Sequence, residues 1–119
     1  VEITVRGDGH YGTPDVMEPL EDQSCNYIFG PPGNARLSKI GQPWCEDVAV
    51  RRVQRGKDKL RRFFRVAYRA KSWSWERTVV ARVEATSKGC DVRFVVTNLP
   101  GRAKVLYEKV YCARGRMKT

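Results

Sequence analysis

Histidine is almost missing from this chain: His10 is the only one among 119 residues. The four cysteines, Cys25, Cys45, Cys90 and Cys112, are widely spaced with no C-x-x-C pair. Together these shortages argue against a zinc site, which needs closely spaced Cys and His ligands. No apolar run approaches the ~20 residues needed to cross a bilayer, and there is no internal repeat or low-complexity segment. A leader pattern is lacking too, so the cysteines are expected to be reduced and the protein cytoplasmic, with no membrane partner. The chain opens on Val1 inside a strand pattern rather than on an initiator methionine, which leads us to expect further protein upstream.

Acidic residues are scarce in one part only. Residues 1–50 carry eight acids and three bases, net −5, whereas residues 51–119 carry five acids and twenty bases, net +15. A cationic second half of this size favours a polyanion, either nucleic acid or an acidic membrane surface, because neutralised phosphates release counterions. Nucleic acid is the favoured partner. At 41% hydrophobic and 30% charged the composition suits one globular domain with a core.

Val1 to Val5 read as a strand ending in the turn-forming Gly7-Asp8-Gly9. Thr13-Pro14-Asp15 supplies an N-cap, a first-turn proline and a dipole-matched acid for a helix over 14–23. Pro19 spoils that helix, since an interior proline loses a hydrogen bond at ~3 kcal/mol. Residues 25–29 form a short apolar strand. Helices are expected over 34–40 and 46–55, broken by Gly41-Gln42-Pro43. The order strand, helix, strand, helix indicates an α/β layer structure.

From Leu60 the apolar period becomes two. Phe64, Val66, Tyr68 and Ala70 face one way, and Arg65, Arg69 and Lys71 the other. Val79, Ala81, Val83 and Ala85 alternate with Thr78, Arg82 and Glu84 in a second strand. Ser87-Lys88-Gly89 turns the chain into a third, with Val92, Phe94 and Val96 inward, which makes an antiparallel meander. Residues 102–117 return to helical spacing and would place Tyr111, Arg114 and Lys118 on one face.

Several of these segments, in this order, resemble the catalytic domain of bacterial insertion-sequence DDE transposases with a Tyr-x-x-Arg-x-x-x-Glu signature. They are Val-Arg-Gly-Asp, Asn-Tyr-Ile-Phe-Gly, Asn-Ala-Arg-Leu, Lys-Ser-Trp-Ser, Arg-Phe-Val-Val-Thr-Asn-Leu and Leu-Tyr-Glu-x-Val-Tyr-Cys-Ala-Arg-Gly. The resemblance implies an α/β fold, a fragment of an RNase H-like core with an antiparallel β insertion. Residues 1–57 would supply core strands and helices, 58–99 the β-rich insertion, and 100–119 the start of the helix bearing the signature. Intact relatives would cut and join DNA at transposon ends with two Mg2+ or Mn2+ ions held by carboxylates.

By the same resemblance Asp8 is the second catalytic acid and a metal ligand, the first acid falling upstream of Val1. Local sequence alone reads Asp8 as a turn residue. Tyr111 and Arg114 would contact DNA phosphate, a role suited to a guanidinium fork, or else occupy an ordinary helix surface. Lys118 stands where the signature has its metal-binding glutamate and disrupts that acid position. Lys71, Trp73 and Arg77 belong to an insertion that would contact transposon ends. Trp73 either stacks on an unpaired base, worth ~1–3 kcal/mol, or packs in the sheet. Arg61, Arg62, Arg65 and Arg69 are further phosphate candidates or a solvated cationic face.

These residues lead us to expect a truncated, inactive transposase fragment that retains affinity for DNA. One alternative is a small basic DNA-binding or inhibitory protein that associates with intact transposase. Another is a nuclease with a rearranged site, which would need an acid to replace position 118; Glu108, ten residues earlier on a helix, is poorly placed for that.

Overall fold

Short apolar runs such as 26–29 can be buried only if strands flank them and helices cover their faces. The computed structural model, which describes residues 3–7, 12–30 and 35–112, achieves this with one five-stranded sheet. Strands β1 (Thr4–Gly7) and β2 (Asn26–Phe29) are parallel, with Thr4 opposite Asn26 and Gly7 opposite Phe29. Helix α1 (Pro14–Asp22) makes the crossover between them, as parallel pairing requires. The meander β3 (Lys59–Tyr68), β4 (Arg77–Thr86) and β5 (Gly89–Thr97) is antiparallel. Because β5 also pairs with β2, the sheet runs unbroken past residue 57 in the order β1-β2-β5-β4-β3. Strands β1 and β3 form its edges.

Both faces of the sheet are covered. On one, Met17 of α1 and Leu37 and Val48 of helix α2 (Ala35–Gln54) pack with Tyr27, Phe29, Val79, Ala81 and Val83. On the other, Leu106 and Tyr107 lie against Ile28, Val80 and Val95. These two residues belong to a C-terminal helix that begins as α3 (Ala103–Val105) and continues as a π-helical segment over Leu106–Tyr111. The α/β class expected from the element order is thus present as helix, sheet and helix layers.

Four local expectations need correction. The Gly41-Gln42-Pro43 break does not occur, and α2 continues through it. Burial overrides propensity here, because Leu37, Ile40, Trp44, Cys45 and Val48 recur at helical spacing and pack on the sheet,. Gly41 reflects close packing: a Cβ there would stand 3.2 Å from Phe94 Cζ and 3.3 Å from Val92 Cγ1. Thr13 caps α1 through its carbonyl, which accepts from Val16 and Met17 N–H at 3.1 and 2.9 Å, and its side chain makes no capping bond.

The third correction concerns β4, which has no solvent face. Arg82 is buried, and its guanidinium pairs with Glu84 at 3.1 Å and Asp91 at 2.5 Å beneath the ring of Tyr107. The C-terminal helix covers the face that strand alternation suggested was open. Finally, the regular α-helix expected over 102–117 widens to π geometry from Leu106, so α-helical spacing does not hold on the approach to Tyr111. Residues 113–119 lie outside the described residues.

Candidate nucleic-acid interface

β1 ends at Gly7, one residue before Asp8. Asp8 itself lies outside the described residues, as do Arg114 and Lys118. Their flanking elements nevertheless meet. Arg6 Nη1 of β1 donates to the carbonyl of Val110 at 3.3 Å across 104 residues of sequence. Tyr111 follows at the end of the π segment, half-buried and 5.5 Å from the Tyr107 ring. The strand leading to Asp8 and the helix leading to Arg114 therefore converge at one edge of the sheet.

Glu108, the acid required by a rearranged site, is turned elsewhere. Its carboxylate lies 3.5 Å from Arg61 Nη1, and Arg61 belongs to β3, at the opposite edge from β1. Four strand spacings of ~4.8 Å separate the two edges. By sequence the chain offers Asp8 and has Lys118 where the resemblance expects a metal-binding glutamate, and an ammonium is not a metal ligand. Among the described residues, no three His, Cys, Asp or Glu side chains gather as metal ligands.

The cationic candidates divide by burial. Arg65 and Arg69 are exposed, but each also braces a loop: Arg65 Nη1 donates to Gly101 O at 2.5 Å and Arg69 Nε to Trp73 O at 3.0 Å. Lys71 stands exposed in the turn between β3 and β4. Trp73 and Arg77 are placed differently. Trp73 is 5% exposed and packs edge-on to Tyr68 with ring centroids 5.6 Å apart. Its face is taken up by the protein, and a base could stack there only if the hairpin opened.

Arg77 is interior as well. Its Nε and Nη2 donate to the two carboxylate oxygens of Glu21 at 2.7 and 2.9 Å, a bidentate pair,. The rings of Trp73 and Trp75 lie on its guanidinium at 5.3 and 4.8 Å,. Tyr27 completes the cluster by donating its hydroxyl to Glu21 at 2.5 Å. Burial alone would raise the Glu21 carboxyl, but the hydrogen bonds from Arg77 and Tyr27 outweigh it and hold the group below its ordinary value,. Tyr27 is pushed well up, chiefly by burial and then by the neighbouring carboxylate. A phosphate contact from Arg77 would have to break this pair.

Sequence reading missed Glu21 and Tyr27, whose partner lies more than fifty residues away on β4. It also missed Arg55, just past the end of α2, Arg102, the N-cap of α3, and Lys104 of α3, all exposed cations. The charge count gave a general signal for them, but no local motif did.

A family model described as transposase DDE domain group 1 matches residues 1–119. The chain belongs to this family. No curated protein and no solved structure gives a significant match. Membership in the DDE transposase family connects the chain with DNA transposition in general. No described helix is long and apolar enough to cross a membrane.

Proposed function

We propose that the chain is part of an RNase H-like DDE transposase catalytic domain that binds DNA at transposon ends and does not itself perform strand transfer. The observation that carries the DNA contact is the segregation of charge, net +15 over residues 51–119, in a member of a DNA-transposing family. Counterion release from phosphate gives such a surface affinity without sequence reading. Arg65, Arg69 and Lys71 contribute from β3 and the turn after it, Tyr111 from the end of the C-terminal helix, and Arg114 from the signature that follows it in sequence.

Asp8 retains the place of a catalytic acid at the end of β1, a strand with an open edge among the described residues. A further strand pairing there would complete an RNase H-like sheet, and an intact transposase could supply it. This supports the second reading, in which the chain binds DNA and inhibits by associating with active transposase in the cytoplasm. Lys118 in place of glutamate is the ground for inactivity. Mg2+ or Mn2+ serves intact relatives, but no metal-dependent step is assigned to this chain.

The test combines binding and cleavage by the 119-residue chain. We expect duplex affinity that falls linearly with the logarithm of salt concentration, with no cleavage in Mg2+ or Mn2+. Metal-dependent cleavage that Asp8→Asn abolishes would overturn the inactive reading. Absence of salt-dependent duplex binding would overturn the DNA-binding one.

A further inference from the structure

The end of α2, the first half of β3 and the start of α3 enclose an open cleft of about 430 Å³. Arg55, Arg61, Arg62, Arg102 and Lys104 line it, and among the described residues no acid does. Leu60 and Phe63 provide an apolar floor. The cleft follows an edge of the sheet, since among the described residues β3 pairs only with β4. Consecutive strand residues project to opposite faces, so Arg61 and Arg62 flank that edge on both sides. Arg61 is partly neutralised by Glu84 at 2.8 Å and Glu108 at 3.5 Å. Among the described residues, Arg55, Arg62, Arg102 and Lys104 have no acidic partner.

Charged side chains on an edge strand commonly guard against pairing with another sheet. That accounts for Lys59, Arg61 and Arg62, which the strand itself carries. It does not account for Arg55, Arg102 and Lys104, which reach the same cleft from elements on either side of β3. Like charges gathered within a Debye length of about 10 Å repel one another unless an anion lies between them. An open cleft with cations from three segments of the chain suits a charged polymer better than an enclosed small molecule. The unpaired N–H groups of an edge strand are also donors of a kind that phosphate accepts.

We propose that this edge cleft is where the chain grips the phosphodiester backbone of DNA. The proposal rests on the DNA-binding reading above and gives its principal phosphate contact a location, at the first half of β3 and the start of α3.

The test measures binding of a short duplex of random sequence to the 119-residue chain across a salt series. Two variants are compared, Arg62→Gln/Arg102→Gln/Lys104→Gln in the cleft and Lys39→Gln/Lys88→Gln/Lys109→Gln outside it, all three of the latter exposed. Urea midpoints confirm that each is folded, and Lys104→Gln alone replaces the cleft variant if that variant is not. Each phosphate contact contributes about 0.9 to the slope of log K against log salt. The cleft variant should therefore lose about 2 to 3 of slope and on the order of 10²-fold affinity at about 0.1 M salt, and Lys104→Gln alone about 1 of slope. The outside variant should lose less than about 1.

Equal slopes for wild type and the cleft variant, or a larger loss from the outside variant, would overturn the cleft while leaving DNA binding intact. A wild-type chain that ignores the duplex but binds phosphatidylserine vesicles at the same salt would overturn both.

Discussion

Replacing Glu21 with glutamine keeps its shape and its acceptor for Tyr27 but removes the charge that faces Arg77. The Arg77 side chain is 2% exposed and Glu21 17%, so the guanidinium would be left buried without a counterion. Breaking a buried pair in this way typically costs 3–5 kcal/mol. Glu21 retains some contact with water, which places Glu21→Gln near the low end, at about 3 kcal/mol. With a urea m-value of about 2 kcal/mol/M for a domain of this size, the midpoint should fall by roughly 1.5 M. Arg77→Met, with its side chain in the slot between Trp73 and Trp75, should also destabilise. The Glu21→Gln/Arg77→Met double variant should cost hardly more than either single one, a coupling of about 2–3 kcal/mol. Additive effects below about 1 kcal/mol each would refute the argument and would mean that Arg77 is solvated and available to DNA. Duplex binding gives an independent check, because Arg77→Met should leave the salt slope unchanged.

Acid should weaken the fold through the same cluster. Glu21 and Glu84 are both held below the ordinary value of 4.5, Glu21 against the pull of burial and Glu84 chiefly by Arg61. Groups with lowered folded values stabilise fully above their unfolded values and lose that contribution as pH falls through the folded ones. The urea midpoint should therefore decline below about pH 4.5 in wild type and decline less in Glu21→Gln; identical pH profiles would contradict this. The two indole neighbours of Arg77 should behave differently: Trp73→Ala should cost about 3–5 kcal/mol, while Trp75→Ala, at a site 44% exposed, should cost about 1 kcal/mol or less. Equal costs in thermal or urea unfolding would show that Trp73 is not a core residue. Cys90 is pushed up to about 12, by burial first and then by hydrogen bonding to Cys45. Alkylation at about pH 8 should therefore be more than tenfold slower at Cys90 than at a free cysteine, and Cys45→Ala should speed it; mass spectrometry that finds free-cysteine rates would refute this.

What could be read from the sequence depended on whether the signal was local. The meander was legible because Val79, Ala81, Val83 and Ala85 alternate over a full strand, and Ser87-Lys88 marks the turn that fixes their register with β5. α1 was legible from Thr13-Pro14-Asp15 despite Pro19. The continuity of α2 was not, since Gly41 and Pro43 oppose a helix locally and only the sheet beneath Leu37, Trp44 and Val48 explains it. Arg82 shows the same limit, because its alternation is that of an exposed residue and its burial depends on a helix more than twenty positions later.

The candidate site follows this division. Asp8 and the Tyr111-x-x-Arg114 signature stood out as motifs, and the Arg6–Val110 contact brings their flanking elements together at one edge. Lys71, Trp73 and Arg77 formed an equally recognisable segment, yet two of the three are built into the core. A motif within a hairpin can serve packing as readily as DNA, and partner geometry distinguishes the two: a bidentate carboxylate and two indole rings occupy Arg77, whereas among the described residues no acid pairs with Arg62, Arg102 or Lys104. Those cations come from separate elements and form no motif at all. For a surface that binds through charge, the folded arrangement of unpaired cations locates the contact better than the most recognisable stretch of sequence.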